Sequence, residues 1–318
     1  MKFNQPDVIV SNQEFNKVSD IAETLKLNNL PMDHYLSGDE GFMIFDLKDV
    51  FTDLPYSSVA FRPNHFTFLI VRDAHAKFIA NDYQFTISPG TIFFCNPGHS
   101  RSFVWTEIRE AFVIAFTEQF LKTNVHNEIF SQLPFLFSEI VKPRILSTEL
   151  FEEFGRTCME MVREFNSTSS YRKRVLGNFL MILLFKVKDY FWKDYDPLSD
   201  GDKGSQIVST FKFNLEHHVR KLVSGEADQQ LRVSDFAIMQ NLHENYLNEV
   251  IKTKTGRSVK SLIAEKIICE AKNLLLLTSL SNKEIGYKLG FIESSHFNTY
   301  FKKYTGVTPM MYRQTTIR

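Results

Sequence analysis

The feature that most narrows what this chain can fold into is a degenerate repeat in its last third. Gly256 aligns with Gly306, Thr255 with Thr305, Lys252 with Lys302, Ile251 with Phe301, Asn248 with Asn298 and Leu247 with Phe297, all 50 positions apart. Just upstream the offset falls to 49, pairing Ala237 with Gly286, Asn241 with Gly290 and Leu242 with Phe291. A repeat that gains one residue at a glycine or asparagine is two helix–turn–helix copies differing in their turn. The physical demands agree. A steep helix crossing wants a small residue on the first helix, met by Ala237 and Gly286. The turn wants a left-handed backbone, cheapest for Gly290 and next cheapest for Asn241. The second helices are expected at about 244–254 and 294–304.

At 100° per residue those helices have two faces. Leu247, Val250 and Ile251 form an inward stripe, matched by Phe297, Tyr300, Phe301 and Tyr304. The other face carries Asn245, Asn248, Glu249 and Lys252 in the first copy, and Ser295, Asn298, Thr299 and Lys302 in the second. Asn can read adenine bidentately, Glu can accept from cytosine N4, and lysines suit phosphates. Between the copies SVKSLIAEKIICEAKNLLLLTS (258–279) is a proline-free helix of ~30 Å. Major-groove faces recur every ~34–36 Å, so it can hold two readers on one side of a duplex. The alternative is an all-helical domain whose polar faces meet only water.

Charge points the same way. The whole chain is formally neutral, yet residues 207–318 hold 16 Lys and Arg against 10 Asp and Glu, and residues 1–206 hold 21 against 27. A basic end on an acidic remainder suits a polyanion partner for one part only. The three cysteines, Cys95, Cys158 and Cys269, are far apart and odd in number, which fits a reducing compartment and no disulfide or zinc framework. MKFNQPDVIV lacks the apolar stretch of a signal peptide, and FLMILLF (179–185) is too short to span a bilayer, so a cytoplasmic location and no membrane partner are expected.

Upstream, FTFLIV (66–71), KFIA (77–80), YQFTI (83–87), TIFFC (91–95) and AFVIAF (111–116) read as short strands parted by RDA, ND, SPG and NPGHS, a pattern of an antiparallel barrel or sandwich. From 147 the period becomes helical. The second helix, YRKRVLGNFLMILLFKVKDYFW, is apolar nearly all round and must be buried within the chain or against a second copy. DYDPLSDGDKGSQ (194–206) is the linker candidate.

NKEIGYKLGFIESSHFNTYFKKYTGVTPMMYR (282–313) closely resembles the signature of the AraC/XylS family of bacterial transcription regulators: a short helix, LGF, a helix with paired aromatics, FKK, a glycine, a TP step and YR. The weaker first copy extends the likeness over 207–318. It implies a seven-helix domain with two helix–turn–helix units that binds double-stranded DNA, with Asn245, Asn248, Glu249, Ser294, Ser295, Asn298 and Thr299 toward bases and Lys252, Lys302 and Lys303 toward phosphates. Asn241 departs from the usual first-copy glycine, Ile251 stands where Phe is common, and Glu249 is acidic where many relatives are not. FRPNHFTFLIV with ISPGTIFFCNPGHSRSF is similar, more loosely, to the family's cupin-type sensor domain. The family also implies a homodimer, contact with RNA polymerase and activation of transcription.

The expected organisation is therefore α+β and multidomain. A cupin-like β-barrel sensor (1–146) precedes a helical dimerisation segment (147–193), a linker (194–206) and an all-α domain with two helix–turn–helix units (207–318). His65 and His99 are the candidates for binding a small effector. A metal-dependent cupin enzyme is the rival; it needs about three histidines and a carboxylate. The His-x-His pair is missing at His65, and His34, His75 and His126 lack partners at useful spacing. No catalytic residues, metal or cofactor are expected. A further alternative is a constitutive regulator whose barrel serves only assembly with protein partners.

Overall fold

A computed structural model describes residues 7–8, 16–18, 20–30, 41–80, 83–126, 129–137, 143–193, 196, 198–199 and 201–316. The chain divides into two compact units, Met1–Asp196 and Pro197–Arg318. His34 and, within the 194–206 stretch, positions 194, 195, 197 and 200 lie outside the described residues.

The N-terminal unit is built on two long antiparallel strands, β6 (Phe66–Ala80) and β9 (Arg101–Phe116). In chain order the elements before and between them are β1 (Asp7–Val8), β2 (Asn16–Val18), α1 (Ile21–Leu27), β3 (Phe42–Asp46), β4 (Tyr56–Ser57), β5 (Phe61–Pro63), β7 (Tyr83–Ile87) and β8 (Thr91–Cys95). β8 pairs with the first part of β6 and β7 with its last part, while β3, β4 and β5 pair along β9. β2 runs parallel to β5, so the sheet is not wholly antiparallel. Among the described residues the pairings do not close into a ring, so the expected barrel is here an open sheet. The RDA segment expected as a turn is also corrected. Arg72, Asp73 and Ala74 continue β6, and the register against β9 slips around Asp73 and His75. Such bulges bend a strand without ending it.

Alternation along β6 sorts the side chains to two cores. Phe66, Phe68 and Ile70 face α2 (Glu118–Asn124), α3 (Ile129–Gln132), α4 (Thr148–Phe165) and α5 (Arg172–Phe191). Leu69, Val71, Ala76 and Phe78 face the other way, with Ile21 and Leu25 of α1. Both faces are buried, which is why these strands read as near-continuous apolar runs. A short strand, β10 (Arg144–Ile145), pairs with β8 and leads into α4, which Ser147 caps by accepting from Leu150 N–H. α5 buries Leu176, Leu180, Leu183, Leu184 and Val187 in the first core and leaves Ile182, Phe185 and Tyr190 exposed.

The C-terminal unit holds seven helices among the described residues: α6 (Lys203–Ser224), α7 (Val233–Ile238), α8 (Glu244–Thr255), α9 (Val259–Leu277), α10 (Asn282–Lys288), α11 (Ser294–Thr305) and α12 (Pro309–Thr316). Two cores flank α9. One gathers Val208, Phe211, Phe236, Leu247, Ile251, Val259 and Ile267; the other gathers Ile268, Leu275, Ile285, Phe297 and Phe301. Lys266 of α9 and Glu216 of α6 form a buried ion pair between those helices. The chain thus joins an N-terminal β-rich domain to a C-terminal helical one.

Candidate nucleic-acid interface and a buried cavity

The turns between the paired helices carry the backbone their residues favour. Asn241 sits at φ 55°, the left-handed region that asparagine tolerates best after glycine, and Gly290 sits at φ 77°. A Cβ on Gly290 would also stand 2.9 Å from the Gln230 backbone nitrogen. The small-residue positions are matched to their neighbours. A Cβ on Gly286 would meet the Phe297 side chain at 3.1 Å. In the other copy, where Leu247 replaces the phenyl ring, the small residue is Ala237.

α8 buries Leu247 and Ile251, and α11 buries Phe297 and Phe301. On the opposite faces Asn245, Glu249 and Lys252 are exposed in α8, and Ser295, Thr299, Lys302 and Lys303 in α11. Ser294 is half-buried at the first turn, and Ser295 Oγ donates to Glu293 at 3.0 Å. Lys303 Nζ lies 5.6 Å from the Tyr304 ring centroid. Sequence pattern did not single out Ile292 (83% exposed), Tyr246 or His296 on the same side.

Of the three asparagines expected to face bases, Asn245 is exposed, while Asn248 and Asn298 are half-buried. Asn248 is half-buried, and its Oδ1 accepts from Val259 N–H at 3.1 Å, satisfying the first turn of α9. Its carbonyl is therefore committed inside the domain. Asn298 occupies the equivalent place, but the residue matching Val259 is Pro309, which has no N–H. Asn298 Oδ1 is buried without a hydrogen bond among the described residues.

In the N-terminal unit a cavity of about 80 Å³ lies on the α1 side of the sheet. Its walls are chiefly apolar, with Phe45, Phe93, Phe103 and Trp105 among them. Its polar groups are Thr24, Asn28, His65, Thr67 and Arg101. His65 Nε2 is 3.0 Å from Thr24 Oγ1, while Nδ1 is 3.2 Å from Phe66 O and 3.3 Å from Thr67 Oγ1. Burial, aided by the nearby Arg101 charge, pushes His65 down to about 3, so the ring is neutral. His99 does not share this place. It is buried in the turn after β8, where its Nδ1 accepts from Asn96 N–H at 3.3 Å, and it does not line the cavity. His75 and His126 are exposed at separate positions. Among the described residues no three His, Cys, Asp or Glu side chains are grouped to hold a metal ion.

The residue that sequence pattern missed is Arg101, which is 3% exposed. Its Nη2 reaches His65 O at 3.5 Å, its Cζ lies 5.9 Å from the Phe61 ring centroid, and its Nε is buried without an acceptor among the described residues. Burial pushes the guanidinium down from its ordinary value, with the Cys95 thiol opposing. No local signal marks it: in NPGHSR the eye falls on the histidine.

A helix-turn-helix domain family model matches residues 236–315. The Msm operon regulatory protein of Streptococcus mutans is 29% identical over 118 residues, 37% of this chain and 41% of that protein. The HTH-type transcriptional activator RhaR of Yersinia pestis is 23% identical over 175 residues, 54% of this chain and 56% of the relative. The chain thus spans about half the length of the curated relatives it matches. Among solved structures, the C-terminal domain of the two-component response regulator yesN from Fusobacterium nucleatum is 31% identical, covering 31% of this chain and 98% of that one, with a TM-score of 0.27. Among the described residues no helix is long and apolar enough to cross a membrane.

Proposed function

The chain belongs to the AraC/XylS family of transcription regulators through its C-terminal domain, and on that premise we propose that it binds double-stranded DNA sequence-specifically to control transcription. The α7–α8 and α10–α11 pairs are its two helix–turn–helix units. One observation carries the reading: twice, a left-handed turn at Asn241 or Gly290 precedes a helix whose outer face is polar and whose last turn carries two lysines. Asn245, Glu249, Ser295 and Thr299 face base edges, with Ser294 at the entrance of α11. Lys252, Lys302 and Lys303 meet phosphates. Asn248 and Asn298 line the seam behind these faces and act by positioning them.

The N-terminal unit is a cupin-like sensor that takes a small effector at the cavity holding His65. Both ring nitrogens of His65 are engaged by Thr24, Thr67 and Phe66, which favours a ligand-lining histidine over a metal ligand and a regulator over an enzyme. The segment 147–193 serves as the dimerisation segment, and the linker read from the sequence as 194–206 is cut back to end at Asp202, because α6 begins at Lys203. The exposed Ile182, Phe185 and Tyr190 of α5 support a homodimer formed there. Activation through RNA polymerase in the cytoplasm completes the proposal.

An operator selected from a random duplex library supplies the test. Lys302→Ala should weaken binding to every sequence and reduce the slope of log K against log salt by about 1. Thr299→Ala should instead change preference at one base pair, by roughly 1–3 kcal/mol. If both variants bind the selected operator like the parent chain, α11 does not enter the groove.

A further inference from the structure

Buried charges are ordinarily paired, because desolvating an ion without a partner costs far more than a lost hydrogen bond. Arg101 has no carboxylate within ion-pair distance among the described residues, and its one protein acceptor there is a long contact to His65 O. Arginine escapes this cost poorly, since it keeps its proton where a lysine or histidine would lose one. The same cavity holds a second unanswered group. Asn28 donates through Nδ2 to Thr24 O at 2.9 Å, leaving its buried Oδ1 without a donor. The cavity lining thus includes a guanidinium without a counter-charge among the described residues, surrounded by phenyl and indole rings.

We propose that this cavity binds a small organic carboxylate, its anion received by Arg101 and its apolar body held among Phe45, Phe93 and Trp105. This rests on reading the N-terminal unit as an effector domain, and it names the chemical class of the effector. A guanidinium presents paired donors in the plane that a carboxylate accepts in. A free inorganic anion would satisfy Arg101 but leave the rings unused. A neutral sugar would bring hydroxyls to walls that are mostly carbon. The cavity holds about 80 Å³, roughly half of a ~150 Å³ cavity that admits benzene, so a body of a few carbons fits within it and a longer one reaches its open side.

The test uses the full chain and measures thermal unfolding with propionate, butyrate, hexanoate and benzoate. Each is paired with its primary amide, and inorganic phosphate is included. At least one short carboxylate should raise the melting temperature by ~5 °C at a hundredfold excess over its Kd, with its amide and phosphate inert. Arg101→Met removes the charge while keeping a long side chain. It should fold with a melting temperature equal to or above the parent's and lose the carboxylate response. Equal shifts from acid and amide, a response to phosphate alone, or no response to any carboxylate would overturn the proposal. So would a large loss of stability in Arg101→Met, which would make the guanidinium a structural strut. Operator binding by the same ligand-free preparation is scored in parallel, so an intact DNA complex without carboxylate binding refutes the effector class and leaves the DNA-binding reading standing.

Discussion

Gly290 and Asn241 solve one backbone problem with different residues, and their costs can be separated. At φ 77° a Cβ on Gly290 is strained and also meets the Gln230 backbone. Gly290→Ala should lower unfolding free energy by at least ~1 kcal/mol, whereas Asn241→Gly relieves strain and should stay within ~1 kcal/mol of neutral. Urea denaturation of both variants reads this directly. His65 makes a pH prediction. Its folded pKa of about 3 lies below the ordinary 6.5, so the ring is neutral in both states above pH 6.5 and its burial is then free of a proton penalty. As pH falls through 6.5 toward 3 the unfolded chain takes up a proton the folded one refuses, and stability drops. The slope of melting temperature against pH between 6.5 and 4 should be shallower in His65→Gln than in the parent chain. An unchanged slope would mean that the ring is not held neutral.

At the scale of elements, the recognition-helix candidates were the most legible part. Their expected spans, 244–254 and 294–304, differ from α8 and α11 by one residue at the end, because apolar period, a left-handed glycine at Gly256 or Gly306 and the absence of proline all act locally. The strands were legible as segments but not as a sheet. RDA carries turn-forming chemistry, yet pairing with β9 holds Arg72 to Ala74 in a bulged strand, an outcome decided by residues some 35 positions away. Arg101 and Asn248 were illegible for a related reason: which way a polar side chain turns depends on what lies behind it. Asn248 gives an element-scale prediction. Asn248→Ala removes the acceptor for Val259 N–H and should cost about 1 kcal/mol. Asn298→Ala has no hydrogen bond of Oδ1 to lose among the described residues and should cost less, measured side by side in guanidinium.

The whole molecule separates two tasks that its charge already divides, an acidic β-rich part and a basic helical one. α5 buries one side in the core, as one of the two readings of its sequence expected, and leaves Ile182 and Phe185 of the other side exposed. On the proposed homodimer, Ile182→Glu should leave thermal stability nearly unchanged and shift sedimentation from dimer to monomer; a parent chain that sediments as a monomer, or a variant that stays dimeric, would overturn the contact at α5. Within the C-terminal unit, α9 has a core on either side and is bound to α6 through Lys266 and Glu216. Its 19 residues make it a ruler with an angular scale as well as a linear one. One residue inserted at its middle would advance everything beyond by ~1.5 Å but swing it by ~100°. Length and phase cannot be adjusted separately, so on the DNA-binding reading a lineage could drift freely in the letters it reads while the interval between them stayed frozen.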